Sequence, residues 1–95
     1  MIIDSVLRQE AKRNNQMIEE YEELMKGLPK GTLIVRRNYY YLKYRDGKRV
    51  VSQYISKSQI DEIRQQLEKR KHIEAMIKSL QEELAIANKV LEDEL

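Results

Sequence analysis

The residues best suited to chemistry lie in the middle of the chain, where basic side chains alternate with tyrosines. Between Lys30 and Lys57 there are eight basic residues and one acid, Asp46. Lysine and arginine neutralise phosphates, and flat aromatic rings stack on nucleobases. Tyrosine and arginine also anchor protein interfaces, and tyrosine is a good strand former. Three interpretations therefore stay open: a nucleic-acid surface, a protein-docking surface or a purely structural sheet.

We expect the binding side chains to come from this central segment and to act without catalysis. The predicted set for binding nucleic acid or a partner is Arg36, Tyr39, Tyr41, Lys43, Arg45, Lys48, Arg49 and Tyr54.

Other chemistries lack the residues they need. The chain has one histidine, His72, and no cysteine, whereas zinc sites draw mostly on those two residue types. No serine follows the glycine-flanked strand-turn-helix pattern of a nucleophile, and the three glycines are too scattered to cradle phosphate. Carboxylate pairs such as Glu22 and Glu23 are predicted on solvated helix faces. We therefore predict a protein that is not an enzyme and uses no cofactor or metal.

Length and composition indicate the class of protein. Ninety-five residues suffice for a single domain, residues 1–95, with one modest core. The absence of cysteine fits a reducing cytosol. No stretch approaches the roughly 18 apolar residues that a membrane span needs, and the first residues lack the pattern of a secretory signal. We expect a cytoplasmic protein that has no membrane segment.

The first element that must position the central segment is a helix over residues 4–26. Its apolar residues follow a 4-3-4-3 spacing, with Asn14 as the one polar interruption, and this spacing draws a single stripe along a helix. We expect Gly27 to end the helix in the left-handed conformation, just before Pro29.

A second helix is predicted over residues 57–94. Its start is marked by a capping box, formed either by Ser56 with Gln59 or by Ser58 with Asp61. The apolar stripe breaks at the charged run 68–72 and then resumes.

The segment 32–55 alternates in the manner of β-strands. Asp46-Gly47 is predicted to form a type I′ hairpin turn, which sets Arg45 opposite Lys48 and Leu42 opposite Val51. A second turn at Arg37-Asn38 adds a first strand over residues 32–36, so the meander has two to three strands.

These registers sort the side chains onto two faces, and both turns give the same sorting. The covered face is predicted to hold Leu33, Val35, Tyr40, Leu42, Tyr44 and Val51. The outward face is predicted to hold Ile34, Arg36, Tyr39, Tyr41, Lys43, Arg45, Lys48, Ser52 and Tyr54.

The predicted fold class is α+β, a long antiparallel, coiled-coil-like helical hairpin with an antiparallel β-meander inserted between its helices. At 1.5 Å per residue the second helix spans roughly 57 Å, against about 35 Å for the first. Pairing from the sheet end would leave residues after about Leu80 without a partner in the same chain. We therefore expect a homodimer formed through Leu84, Ile86, Ala87, Val90 and Leu91.

The central residues also carry a resemblance. They read Leu28-Pro29-Lys30-Gly31, then Tyr39-Tyr40-Tyr41-Leu42-Lys43-Tyr44-Arg45-Asp46-Gly47-Lys48, and close at Tyr54-Ile55. This core resembles that of a small, uncharacterised family of bacterial, archaeal and phage or mobile-element proteins, with an "LPKG…YYYLxYRxGK…YI" pattern between coiled-coil helices. The family resemblance implies no particular activity.

The same core is similar to the three-stranded arm-binding sheets of phage-type integrases, which contact DNA. That similarity implies binding alone, since the chain has no recombinase catalytic domain. The mobile-element association implies an alternative, a small anti-CRISPR-like inhibitor that binds a nuclease or another protein. We therefore expect a non-catalytic nucleic-acid-binding accessory protein of a phage or mobile element, with a protein inhibitor of host defence as the alternative.

Overall fold

The computed structural model describes residues 2–93. The elements in chain order are α1 (Ile2–Lys26), β1 (Thr32–Arg36), β2 (Tyr39–Asp46), β3 (Arg49–Ile55), a 3₁₀ turn (Lys57–Gln59) and α2 (Ile60–Asp93). The predicted α+β class is confirmed, with a three-stranded antiparallel sheet between two helices in the chain. Helix α1 begins at Ile2 rather than at residue 4. The predicted helix end at residue 94 lies outside the described residues.

The chain forms two compact units that divide α2 between them. The sheet unit is Gly27–His72, and it contains the three strands and the first turns of α2. The helical unit consists of α1 together with α2 from Ile73 onward.

The first hairpin of the sheet unit is confirmed in both its turn and its register. Strands β1 and β2 pair with Leu33 opposite Leu42 and Val35 opposite Tyr40. The turn residues Arg37 and Asn38 have φ angles of 52° and 69°. Positive φ at both central positions is the mark of a type I′ turn, whose twist matches that of the flanking strands.

The predicted register of the second hairpin was wrong by two residues. Its turn is Gly47-Lys48, so Leu42 lies opposite Gln53 rather than Val51. Gly47 has a φ of 61° and Lys48 has no positive φ, which is the pattern of a type II′ turn. Because the side-chain period of a strand is two, a shift of two residues leaves every strand side chain on its predicted face.

Charge explains why the observed register is the better one. The predicted pairing placed Arg45 directly opposite Lys48, and like charges in that position destabilise a sheet. The observed pairing sets Asp46 opposite Arg49, which brings opposite charges together.

The covered face of the sheet packs on the first turns of α2. Leu42 is 4% exposed and forms a buried cluster with Ile55 and Ile60. The partly buried residues around this cluster are Leu33, Tyr40, Tyr44, Ile63 and Leu67. The Arg64 guanidinium lies over the Tyr40 ring, 5.7 Å from its centroid. This packing fixes which face of the sheet stays open.

Val35 is the exception among the residues predicted on the covered face. It is 61% exposed, since it lies on the edge strand β1, two residues before the turn.

The predicted start of the second helix was wrong in detail. A 3₁₀ turn precedes α2, and the Gln59 backbone N–H donates to the Ser56 carbonyl oxygen at 3.0 Å. The Ser56 hydroxyl donates to the side-chain oxygen of Gln59 at 3.1 Å and makes no capping bond to the backbone. Ser58 lies inside the 3₁₀ turn. Neither predicted capping box is therefore formed.

The end of α1 falls at Lys26, as predicted, but Gly27 does not have the left-handed conformation. Among the described glycines, positive φ occurs at Gly31 and Gly47 instead. Within the sheet unit, the Arg70 guanidinium donates to the Leu28 carbonyl oxygen at 3.2 Å. A side chain of α2 thus supports the segment that leads into β1.

In the helical unit, α1 runs antiparallel to the second part of α2. The Asn14 amide donates to a Glu83 carboxylate oxygen at 3.1 Å, which sets the middle of α1 level with Glu83. The predicted unpartnered overhang after Leu80 was therefore wrong. The first turns of α2 cover the sheet, so α1 pairs with the later residues.

Candidate nucleic-acid interface

The side of the sheet opposite α2 carries the basic and aromatic residues of the central segment. Antiparallel partners share a face and alternate residues point the same way, so the register determines its membership. We call this side the tyrosine face; its residues are Thr32, Ile34, Arg36, Tyr39, Tyr41, Lys43, Arg45, Val50, Ser52 and Tyr54. None of these ten residues is acidic.

Three tyrosines form a contiguous cluster on this face. Tyr54 lies directly opposite Tyr41, with ring centroids 6.1 Å apart and an edge-to-face angle of 73°. The Tyr39 ring lies 6.1 Å from that of Tyr54 at an angle of 59°. Aromatic pairs favour such tilted arrangements. Tyr54 contacts both neighbours and is still 55% exposed, so it presents ring surface as well as a hydroxyl to a ligand.

Basic residues flank the tyrosine cluster at both ends. Arg36 lies opposite Tyr39 beside the first turn, and Lys43 and Arg45 continue β2 toward the second turn. All three are exposed. At about 3.3 Å per residue, Tyr39 and Arg45 lie roughly 20 Å apart along the strand. The face can therefore meet a ligand with an aromatic centre and positive charge at either end.

Six of the eight predicted binding residues lie on the tyrosine face. Two do not. Lys48 was predicted on a strand opposite Arg45, but the observed register makes it a turn residue. Arg49 was predicted at the hairpin tip, and there it pairs with Asp46 on the covered side of the sheet. The predicted contact set is corrected accordingly.

The structure adds neighbours that the predicted binding set omitted. Ile34 lies opposite Tyr41 and extends the aromatic cluster with an aliphatic side chain. Thr32 and Ser52 lie on either side of Lys43 and offer hydroxyl groups. The alternation of β1 predicted that Ile34 faces outward, but the predicted binding set did not include it.

The helical unit has a separate groove of about 420 Å³, lined from α1 by Leu7 and Ala11 among others. From α2, Ile86 and Val90 line it and are exposed, while Ala87 is buried at its floor. Leu84 and Leu91 are half-buried. The five predicted dimer residues thus differ in exposure, and the dimer itself stays a prediction.

In residues 2–93, no group of three or more histidine, cysteine, aspartate or glutamate side chains could hold a metal ion. Neither of the two helices, over the same residues, has the length and apolar character needed to cross a membrane.

Comparison with known proteins gives one finding. No curated protein and no solved structure matches the chain. A family model described as "Domain of unknown function (DUF6788)" matches residues 7–65, which include most of α1, the whole sheet and the first turns of α2. The matched region contains the entire tyrosine face and agrees with the predicted resemblance to a small, uncharacterised family. The chain belongs to the DUF6788 family of domains.

Proposed function

We propose that this protein is a non-catalytic, nucleic-acid-binding accessory protein that binds through its tyrosine face. The observation that carries the proposal is the joint exposure of Tyr39, Tyr54 and three basic side chains on a surface without carboxylates, with the half-buried Tyr41 between them. The opposite side of the same sheet is packed on α2. One side of the sheet thus supplies the core and the other is free to bind.

Electrostatics supplies the first part of the expected affinity. The logarithm of affinity falls linearly with the logarithm of salt concentration. Each neutralised phosphate adds roughly −0.9 to this slope on duplex DNA and roughly −0.7 on a single strand. Contacts from Arg36, Lys43 and Arg45 would give a slope between about −2 and −3. Affinity should then fall roughly 20- to 40-fold when salt is raised from about 50 mM to about 200 mM.

Aromatic contact supplies the second part. A base stacked on an aromatic side chain contributes roughly 1–3 kcal/mol, largely independent of sequence. Tyr54 is as exposed as Tyr39, and its ring contacts both other rings of the cluster. Tyrosine hydroxyls can in addition donate hydrogen bonds to phosphate oxygens.

The experiment that tests the proposal is a titration of the full chain against single- and double-stranded DNA and RNA at the two salt concentrations. We expect saturable binding to at least one of the four ligands, with the salt dependence given above. Absence of binding to all four at the lower salt concentration would refute a nucleic-acid function.

Replacing Tyr54 by alanine should weaken binding to single strands by roughly 5- to 150-fold, the equivalent of one stacked base. Tyr54→Phe keeps the ring and is expected to bind within about threefold of the wild type if stacking dominates. Fluorescence anisotropy with a labelled oligonucleotide measures both variants. A Tyr54→Phe loss as large as that of Tyr54→Ala would assign the effect to the hydroxyl instead of the ring.

The alternative proposal is a protein inhibitor of host defence, of the anti-CRISPR kind, from a phage or mobile element. It is favoured by the apolar side chains Ile34 and Val50 on the same face, because interface anchors combine aromatic, aliphatic and arginine contacts. In this proposal the tyrosine face docks on a nuclease in the cytoplasm. A stable complex with a nuclease, together with no binding to the four nucleic acids, would support it over the first.

A further inference from the structure

One flank of the helical unit carries apolar residues that the unit itself does not cover. On α1, a row of positions with 3-4 spacing lies beside the stripe that faces α2. Ile3, Val6, Met17 and Leu24 occupy four of its seven positions, and the charged residues Glu10, Arg13 and Glu20 occupy the other three. The apolar counterparts on α2 are Ile86 and Val90. All six apolar residues except the half-buried Met17 are exposed, and Ile86 is 66% exposed. We call these six residues the apolar flank.

The opposite flank of the same two helices has a different composition. Helical periodicity places Arg8, Asn15 and Glu22 there on α1, and Gln81, Ala85, Asn88 and Glu92 there on α2. All seven are exposed, and Ala85 is the one apolar residue among them. Large apolar side chains therefore lie on one flank, although the two flanks have the same geometry.

We propose that the apolar flank binds a second copy of this chain, so that two helical units form a four-helix bundle. A helix in a two-stranded coiled coil needs one apolar stripe, whereas a helix in a four-helix bundle needs a wider one. Helix α1 has both the inner stripe and the flank. A single pair of antiparallel helices can bury only the inner stripe. The two helices of a second copy would bury the apolar flank.

The charges at the middle of the flank favour a second copy over an unrelated partner. Glu10, Arg13 and Glu83 line the groove there. The Asn14–Glu83 hydrogen bond sets Arg13 nearly level with Glu83, and Glu10 lies about one helical turn away. In a two-fold interface, residues near the symmetry axis contact the same group of residues in the second copy. Arg13 of each copy would then lie among Glu10 and Glu83 of the other, so that each of the two guanidinium groups is paired with carboxylates of the second copy.

The available area fits a dimer that forms reversibly. From Ile3 to Leu24 the flank is roughly 30 Å long, and two helix diameters make it about 20 Å wide. Such a face would bury roughly 600 Å² on each copy and roughly 1,200 Å² in total, the lower end of the range for specific interfaces. We therefore expect dimerisation that depends on concentration in the micromolar range.

A charge-swap experiment on the full chain tests this dimer. Sedimentation over concentrations from about 1 μM to about 1 mM measures association. The wild type is expected to dimerise. Arg13→Glu makes the middle of the flank wholly acidic, and Glu10→Lys/Glu83→Lys makes it wholly basic, so each variant alone should be monomeric. An equimolar mixture of the two should recover a one-to-one dimer.

The matched control and the mixture keep the test decisive. Arg8→Glu makes the same charge change on the polar flank and should leave the wild-type association constant unchanged within about twofold. Recovery in the mixture also shows that both variants are folded. The Glu83→Lys change can keep a hydrogen bond to α1, because the Asn14 side-chain oxygen can accept from a lysine just as its amide donates to a glutamate. A monomeric wild type at the highest concentration would overturn the proposal. So would variants that dimerise alone, or a mixture that stays monomeric.

Discussion

Reversing the charges of Lys43 and Arg45 on the tyrosine face, as Lys43→Glu/Arg45→Glu, is expected to lower affinity for nucleic acid by roughly 100-fold or more at low salt. The variant loses two of the three basic side chains of the face and replaces each by a charge that repels phosphate. The slope of log affinity against log salt should fall by roughly 1.5 to 2, because two phosphate contacts disappear. Both positions are exposed, so the melting temperature should change little.

The matched control makes an identical charge change in the two turns of the same sheet. Arg37→Glu/Lys48→Glu alters one exposed residue in each turn and leaves the cross-strand pairs intact. Long-range electrostatics should cost this variant about tenfold or less. Equal losses in the two variants would mean that affinity comes from the overall charge of the sheet and would contradict a binding site on the tyrosine face.

Replacing Gly31 by alanine is expected to destabilise the sheet unit by about 3 kcal/mol or more. Gly31 has a φ of 115°, outside the conformations that L-residues adopt readily. An added Cβ would also overlap the backbone carbonyl oxygen of Lys43 and lie 2.9 Å from the Cβ of Tyr44. Strand β2 passes so close to this glycine that a side chain would push it away. Urea unfolding followed by circular dichroism measures the change.

Gly47→Ala is the control for the Gly31 substitution. Gly47 also has positive φ, at 61°, but a Cβ there would meet no atom within 4 Å. Alanine at positive φ without a steric overlap should cost only about 1–2 kcal/mol. A Gly31→Ala cost no larger than the Gly47→Ala cost would show that β2 can move aside and that close approach is not what requires Gly31.

Alternation in the central segment was enough to predict which residues share a face of the sheet. The register of the second hairpin was harder, because Gly47 can be the second residue of a type I′ turn or the first residue of a type II′ turn. Both turns keep the same faces, so the hydrophobic pattern cannot choose between them. Cross-strand pairs choose instead, since the observed register joins Asp46 to Arg49 and Tyr41 to Tyr54.

The wrong prediction of an unpartnered overhang at the end of α2 has a different origin. Counting lengths assumed that the two helices pair from the sheet end, whereas Ile60, Ile63 and Leu67 pack against the sheet. The sequence contained the necessary signal. The apolar stripe of α2 breaks at the charged run 68–72, and the boundary between the two compact units falls at His72. A break in a stripe can mark a change of packing partner within one unbroken helix.

Because α2 is shared between the units, one continuous helix is held by two different hydrophobic cores. Ile60 belongs to the cluster around Leu42, whereas Ile73, Ile77 and Ala87 are buried in the helical unit. Backbone amides exchange with solvent when the packing around them opens locally. We therefore expect the amides of α2 to show two different free energies of opening, one before the charged run and one after it. Substitutions in the sheet core should lower the protection of the amides before the charged run and leave the later ones unchanged.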